Sequence, residues 1–201
     1  MAKSKLRIGV LASGQGTTLQ AVIDACEVGN LDASVVAVTS NNSQSGAATR
    51  AKRHSIPFAH LSGRTHPNAN ELDATIRDVF LGHSTDLVLL AGYMKKLGPA
   101  TLSAFVGRIV NTHPALLPKY GGKGMYGSNV HAAVLAAHEK MTGISVHLVD
   151  DEYDTGRVLA QQTVPVEPGD DVDSLTERVQ RSEKEFLVEV LQRIASGEII
   201  L

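Results

Sequence analysis

The sequence predicts an α/β fold, a three-layer sandwich around a mostly parallel but mixed sheet, and three observations predict it. Four short apolar runs rich in β-branched residues recur with helical segments between them: Leu6 to Ala12, Ala33 to Thr39, Leu87 to Ala91 and Arg108 to Asn111. That alternation is the mark of buried parallel strands joined by crossover helices. Between the first two runs, Leu19, Val22, Ile23 and Cys26 fall at i, i+3, i+4 and i+7. The spacing predicts an amphipathic helix laid on the sheet, with Gly29 as its stop. Nearer the C-terminus, Ile144 to Val149 and Arg157 to Val166 read as two more strands joined by the acidic turn from Asp150 to Gly156. Such a hairpin gives the sheet an antiparallel member. The last helix is expected to open on a capping box, Ser174-Leu175-Thr176-Glu177. It would turn Leu175, Val179, Phe186, Val190 and Ile194 inward and end at Gly197.

Composition bounds the organisation. With 201 residues, 43% of them apolar, the chain can bury one substantial core, so a single domain over 1–201 is expected. Nineteen basic against 21 acidic residues give a net charge of -2, which excludes a whole-protein field for nucleic acid or an anionic membrane. Any anion must therefore be bound locally. Cys26 is the only cysteine, which rules out an internal disulfide and a multi-cysteine metal site and fits a reducing compartment. Lys3, Lys5 and Arg7 precede an apolar run, Ile8 to Ala12, too short for a secretory core or a membrane span. A cytoplasmic location follows as the expectation.

A glycine loop, Ser13-Gly14-Gln15-Gly16-Thr17-Thr18, follows the first strand and opens the first helix. Free backbone N–H groups and the positive end of the helix dipole suit that place to a phosphate. It is not a dinucleotide fingerprint, because Leu19 stands at the third glycine position and Ser40-Asn41-Asn42 replaces the ribose-binding acid. Nor does it have the lysine of a P-loop. Two readings stay open: a tight strand-to-helix turn with no ligand, or a site for one phosphate monoester, favoured by the Thr17 and Thr18 hydroxyls.

The run Val110-Asn111-Thr112-His113-Pro114 sets a carboxamide and an imidazole two residues apart where an apolar strand stops. In a strand, i and i+2 share a face, so Asn111 and His113 address one small volume. Acyl-group chemistry needs that pair: a donor for a developing oxyanion and a group that moves a proton. A loop with Gly121, Gly122, Gly124 and Gly127 follows. His54, His60, His66, His83 and His138 read as surface or packing residues, while His131 and His147 stay unassigned. The acidic turn from Asp150 to Asp154 is either a solvated hairpin tip or the source of a carboxylate that raises the pKa of His113.

These residues resemble the phosphoribosylglycinamide formyltransferase family. The resemblance rests on the glycine loop, on Asn111-Thr112-His113-Pro114 with Leu116-Leu117-Pro118-Lys119-Tyr120, and on Asp154 after Ser145-Val146-His147, and it runs from about Ile8 to Glu183. It implies a formyltransferase-like, Rossmann-type fold. It also implies transfer of the formyl group of 10-formyltetrahydrofolate, a co-substrate, to the amine of 5'-phosphoribosylglycinamide in de novo purine (IMP) biosynthesis, with no metal. By position, Asn111 would steady the tetrahedral oxyanion, His113 would be the proton donor, and Asp154 would raise the histidine's pKa and place a water. Gly16, Thr17 and Thr18 would take the ribotide phosphate, and Glu183 would contact the same substrate. Met94, Lys95, Lys96 and Leu97, with Asn111 and the backbone of the turn containing Asp150 and Asp151, would line the folate pocket. The family often has Asn where Thr18 stands and Arg where Lys95 stands. Residues 64–70 offer no clear counterpart of its folate-tail arginine.

The partners implied are small molecules alone, without nucleic acid or membrane, for a monomer or homodimer. Other folate formyl enzymes share the core but carry an extra domain before or behind it, so the chain is expected to be neither the formyltetrahydrofolate hydrolase nor the transfer-RNA enzyme. A non-catalytic nucleotide-binding or regulatory α/β protein would keep the glycine loop and leave His113 and Asp154 unconstrained, and a separation of more than ~8 Å between them would favour it, because a carboxylate tunes an imidazole at ~4 to 6 Å. A histidine metalloenzyme is disfavoured, since no pair has HExxH spacing.

Overall fold

The computed structural model describes residues 4–201, so Lys3 of the basic trio lies outside the described residues. In chain order the elements are β1 (Leu6–Ala12), α1 (Thr17–Glu27), β2 (Ala33–Ser40), α2 (Gly46–Arg53), β3 (Phe58–His60), α3 (Ala69–Gly82) and β4 (Leu87–Leu90). There follow α4 (Pro99–Ala104), β5 (Ile109–His113), α5 (Ser128–Ala136), β6 (Met141–Leu148), β7 (Val158–Pro165) and α6 (Val172–Ser196). The seven strands form one sheet in the order β3-β2-β1-β4-β5-β6-β7. The first five in that order pair in parallel, while β6 runs antiparallel to both β5 and β7.

Both sheet faces are covered, which is why the strands read as unbroken apolar runs. Ile8, Val10, Leu87, Leu89 and Val110 point into one core with Leu19 and Val22 of α1, Val130 and Val134 of α5, and Leu187 and Val190 of α6. Leu11, Val88, Leu90 and Ile109 point the other way, onto Ile76 and Phe80 of α3 and onto Phe105. Phe80 and Phe105 meet edge to face at 6.2 Å. Truncating a fully buried residue such as Leu89 to alanine costs about 2–5 kcal/mol, so either layer is a large fraction of the stability.

Two expectations need correction. The capping box of α6 is not the one beginning at Ser174. Asp171 is the N-cap: its carboxylate accepts from the Ser174 N–H at 2.8 Å while the Ser174 hydroxyl takes the Asp171 N–H at 3.0 Å. Ser174 is thus the third residue of the helix, and the helix begins at Val172. The sequence reading also lacked β3, whose three residues are too few to show an alternation and which forms the sheet edge against β2. The amphipathic α1 forms as expected, and α6 ends where Gly197 adopts a left-handed conformation.

Two braces position the loops at the C-terminal end of the parallel strands. Asp73 of α3 caps α4, which has no cap of its own, accepting from the Ala100 N–H at 2.7 Å and the Thr101 hydroxyl at 2.6 Å. That fixes the segment entering α4. Ser13 accepts from the Met94 N–H at 2.9 Å, tying the loop after β1 to the loop after β4. Chain connections leave β1 and β4 toward opposite sheet edges, and the crevice above that divide is where open α/β sheets bind ligands.

Candidate active site

A cleft of about 730 Å³ opens at this edge, lined by Thr17, Thr18, Asn111, Thr112, His113, Asp154 and Glu183, among others. One end is the N-terminus of α1. Gly16 is its N-cap in a left-handed conformation (φ 69°) and supplies no side-chain cap. The first-turn N–H groups of a helix have no internal carbonyl to bond, so they face the cleft as donors. Only glycine fits at residue 16, since a Cβ there would stand 2.8 Å from Cα of Ala47 as well as requiring positive φ. Helix α2 braces the loop, Arg50 Nε donating to the Gln15 carbonyl at 3.0 Å and the Ala47 N–H to the Gly14 carbonyl at 3.3 Å.

The other end is built by strand register. The β5/β6 pairing puts Asn111 opposite His147 and His113 opposite Ser145. Ser145 donates to the Ala115 carbonyl at 2.7 Å and accepts from the Leu117 N–H at 3.0 Å, which holds the chain leaving His113. His113 is 3% exposed, with Nε2 2.7 Å from the Tyr120 carbonyl and Nδ1 3.4 Å from Asp154 Oδ2. The His113–Asp154 separation is far inside the ~8 Å limit set by the non-catalytic alternative.

Asp154 is the hub. Oδ2 also accepts from the Gly122 N–H at 2.9 Å, and Oδ1 lies 3.5 Å from His147 Nε2. A Cβ on Gly121 would meet the Leu117 side chain and come within 3.3 Å of the Asp154 Cβ, so the glycine loop packs directly on this carboxylate. His147 Nδ1 faces the Leu148 carbonyl at 2.8 Å; with a proton there, Nε2 accepts from Asn111 Nδ2 at 3.1 Å. Asn111 keeps a second amide proton for a ligand.

Burial, the largest influence on Asp154, pushes its pKa up. The Gly122 N–H and the nearby His147 and His113 rings outweigh it, so the carboxyl sits below its ordinary value and is ionised. His113 departs from expectation. The carboxylate and the Tyr120 carbonyl do push its pKa up, but burial is the larger influence, His147 adds to it, and the net result lies below 6.5. The imidazole is therefore neutral at pH 7, able to accept a proton before it donates one. Glu183 is raised by burial, only partly relieved by the Thr112 hydroxyl that donates to it at 2.8 Å and by Lys184.

Of the residues singled out from sequence, the fold brings together Asn111, His113, Asp154, Thr17, Thr18, Glu183 and Met94 in one cleft, with Gly16 behind its helix end. Lys95, Lys96 and Leu97 instead line a neighbouring cavity of about 1020 Å³ with Arg64, Tyr93 joining the two. Asp150 and Asp151 stand outside the residues lining either cavity, and Asp150 spends its carboxylate within the turn, on the Thr155 hydroxyl and the Glu152 N–H. Sequence reasoning left out Tyr93, Tyr153 and Lys123, and left His131 and His147 unassigned. His147 had a partial signal, its two-residue spacing from Ser145 on one expected strand, whose place beside the strand carrying Asn111 is set by the fold. Large apolar side chains remain exposed here, Met94 at 51% and Tyr153 at 45%, and both line the main cleft.

The chain matches the family model described as formyl transferase over residues 6–191. It is 43% identical to the phosphoribosylglycinamide formyltransferase of Mycobacterium tuberculosis (strain H37Rv), over 94% of this chain and 85% of the relative. It is 37% identical to the chloroplastic phosphoribosylglycinamide formyltransferase of Arabidopsis thaliana over 96% of its own length, and spans 66% of that relative. Among solved structures, glycinamide ribonucleotide transformylase 1 from Symbiobacterium toebii superposes with a TM-score of 0.91 at 33% identity, covering 98% of this chain and 91% of that one.

Proposed function

The chain belongs to the formyl transferase family, and from that premise we propose that it moves the formyl group of 10-formyltetrahydrofolate to the amine of 5'-phosphoribosylglycinamide, a step of purine biosynthesis. The observation that carries the residue assignments is the His113–Asp154 pair beside Asn111, in a cleft whose far end is an uncapped helix N-terminus. The ribotide phosphate sits on the α1 N–H groups and the Thr17 and Thr18 hydroxyls, with Glu183 on the same substrate. The exposed faces of Met94 and Tyr153 give an aromatic folate somewhere to bury. Lys95 and Lys96, bordering the second cavity, suit an anionic tail, Lys95 by charge rather than by the bidentate geometry of an arginine. The turn that contains Asp150 and Asp151 reaches the folate through Tyr153 and Asp154, which line the main cleft.

Within that arrangement each residue has a stated task. Asn111 donates its free amide proton to the oxygen of the formyl carbon as the acceptor amine attacks and the carbonyl electrons shift to oxygen. His113, neutral before the reaction, takes a proton from the amine nitrogen, and the imidazolium also stabilises the oxyanion. It then gives the proton, directly or through a water held by Asp154, to the departing folate nitrogen as the carbon–nitrogen bond breaks. Asp154 stabilises the transient imidazolium, and His147 keeps Asn111 oriented by accepting from its amide. The reading includes one domain over 1–201, no metal, small-molecule partners without nucleic acid or membrane, a cytoplasmic location and a monomer or homodimer. No helix among the described residues is long and apolar enough to cross a membrane.

A spectrophotometric assay with a 10-formyl folate analogue, run with and without phosphoribosylglycinamide, tests this. Deformylation that requires the ribotide is the expected result. Release of formyl without an acceptor would replace the transferase reading with a hydrolase.

A further inference from the structure

Helix α5 brings one imidazole to the cleft that the reaction above does not use. His131 is 1% exposed and lines the cleft, and its Nδ1 is buried with no hydrogen-bond partner among the described residues. A sealed, unpartnered nitrogen is a cost to folding that an apolar side chain would avoid, and the neighbouring Val130 and Val134 show that this helix face is otherwise core. Keeping a histidine there points to a ligand. Among the described residues Nδ1 is the ring nitrogen that is sealed and unpartnered, which leaves Nε2 as the nitrogen to meet a ligand in the cleft that His131 lines. An orphaned acceptor is better tolerated than an orphaned N–H, which puts the proton on Nε2. Burial and the nearby His113 both lower the pKa of His131, so the ring is a neutral donor at pH 7.

The layer of the fold decides which substrate it meets. Helix α5 packs in the same core as α1 and α6, the helices that carry Thr17, Thr18 and Glu183, whereas Tyr93 and Leu97 pack on the opposite face of the sheet. His131 therefore belongs to the ribotide half of the cleft. We propose that His131 is a substrate-binding residue whose Nε2–H donates to an oxygen of the acceptor between its phosphate and its amine, holding the amine toward Asn111 and His113. This rests on the function proposed above.

The test is calorimetric titration of phosphoribosylglycinamide, and separately of a folate analogue, into the full chain, for wild type, His131→Leu and His131→Gln, with the thermal midpoint of each ligand-free protein. Wild type should bind. His131→Leu should bind about tenfold more weakly, the size of a lost neutral hydrogen bond, yet melt no lower than wild type, because an orphaned nitrogen has gone. His131→Gln, which can place an amide N–H near the same point, should recover part of the affinity. Equal binding by wild type and His131→Leu would overturn this inference while leaving the transferase reading intact. A lowered midpoint with equal loss of ribotide and folate-analogue binding would make His131 a packing residue and overturn it also. No ribotide binding by wild type would remove the proposed function and this inference with it.

Discussion

Where the cleft meets α1, its binding groups are backbone N–H and the hydroxyls of Thr17 and Thr18, held by a turn that requires glycine at residue 16. Where it meets β5 and β6, they are the buried rings of His113 and His147 and the half-buried side chains of Asn111 and Asp154, held by an antiparallel register and by one another. The contrast separates two ways of handling charge. Backbone donors at a helix end bind an anion without titrating and without depending on any one side chain. Buried imidazoles and a carboxylate can move protons, but each depends on its neighbours for its protonation state. The first end is thus expected to govern affinity, and the second to govern rate and pH dependence.

His113→Ala should break the rate end most deeply, lowering kcat by about 10³-fold, within the range for a lost proton-transfer group, while leaving ribotide affinity near wild type by calorimetry. Wild-type-like turnover would refute the role. Next comes Asp154→Asn, with a loss of about 10²-fold and a diagnostic shift in the pH profile. The carboxylate is an upward influence on His113, whose pKa already lies below 6.5 because burial dominates. Removing it must push the imidazole lower still, so the acid limb of kcat/KM moves to lower pH. A move to higher pH would contradict an upward pull of Asp154 on the His113 pKa.

At the other end, Gly16→Ala should raise KM for the ribotide by about tenfold with little change in kcat. The positive φ and the approach to Ala47 should also remove about 1–3 kcal/mol of stability in a denaturant titration. A kcat effect larger than the KM effect would erase the division between the two ends. The smallest change is expected for Thr18→Ala, about fivefold in ribotide KM, one neutral hydrogen bond, with a pH profile that superposes on wild type.

The amino-acid order determined the alternation of apolar runs and amphipathic segments, hence the three-layer fold, because burial on both sheet faces leaves its mark in local periodicity. Asn111 and His113 were legible for the same reason: a two-residue spacing on a strand is a statement about one face. The Gly16 turn was legible as backbone chemistry. Tertiary structure alone decided that Asp154 lies 3.4 Å from His113 and that His147 stands opposite Asn111, since pairing across 36 or more residues is set by sheet register and loop packing. It also reversed the expected sign on His113: a carboxylate's pull can be anticipated from composition, but the desolvation that outweighs it exists only once the fold has buried the ring.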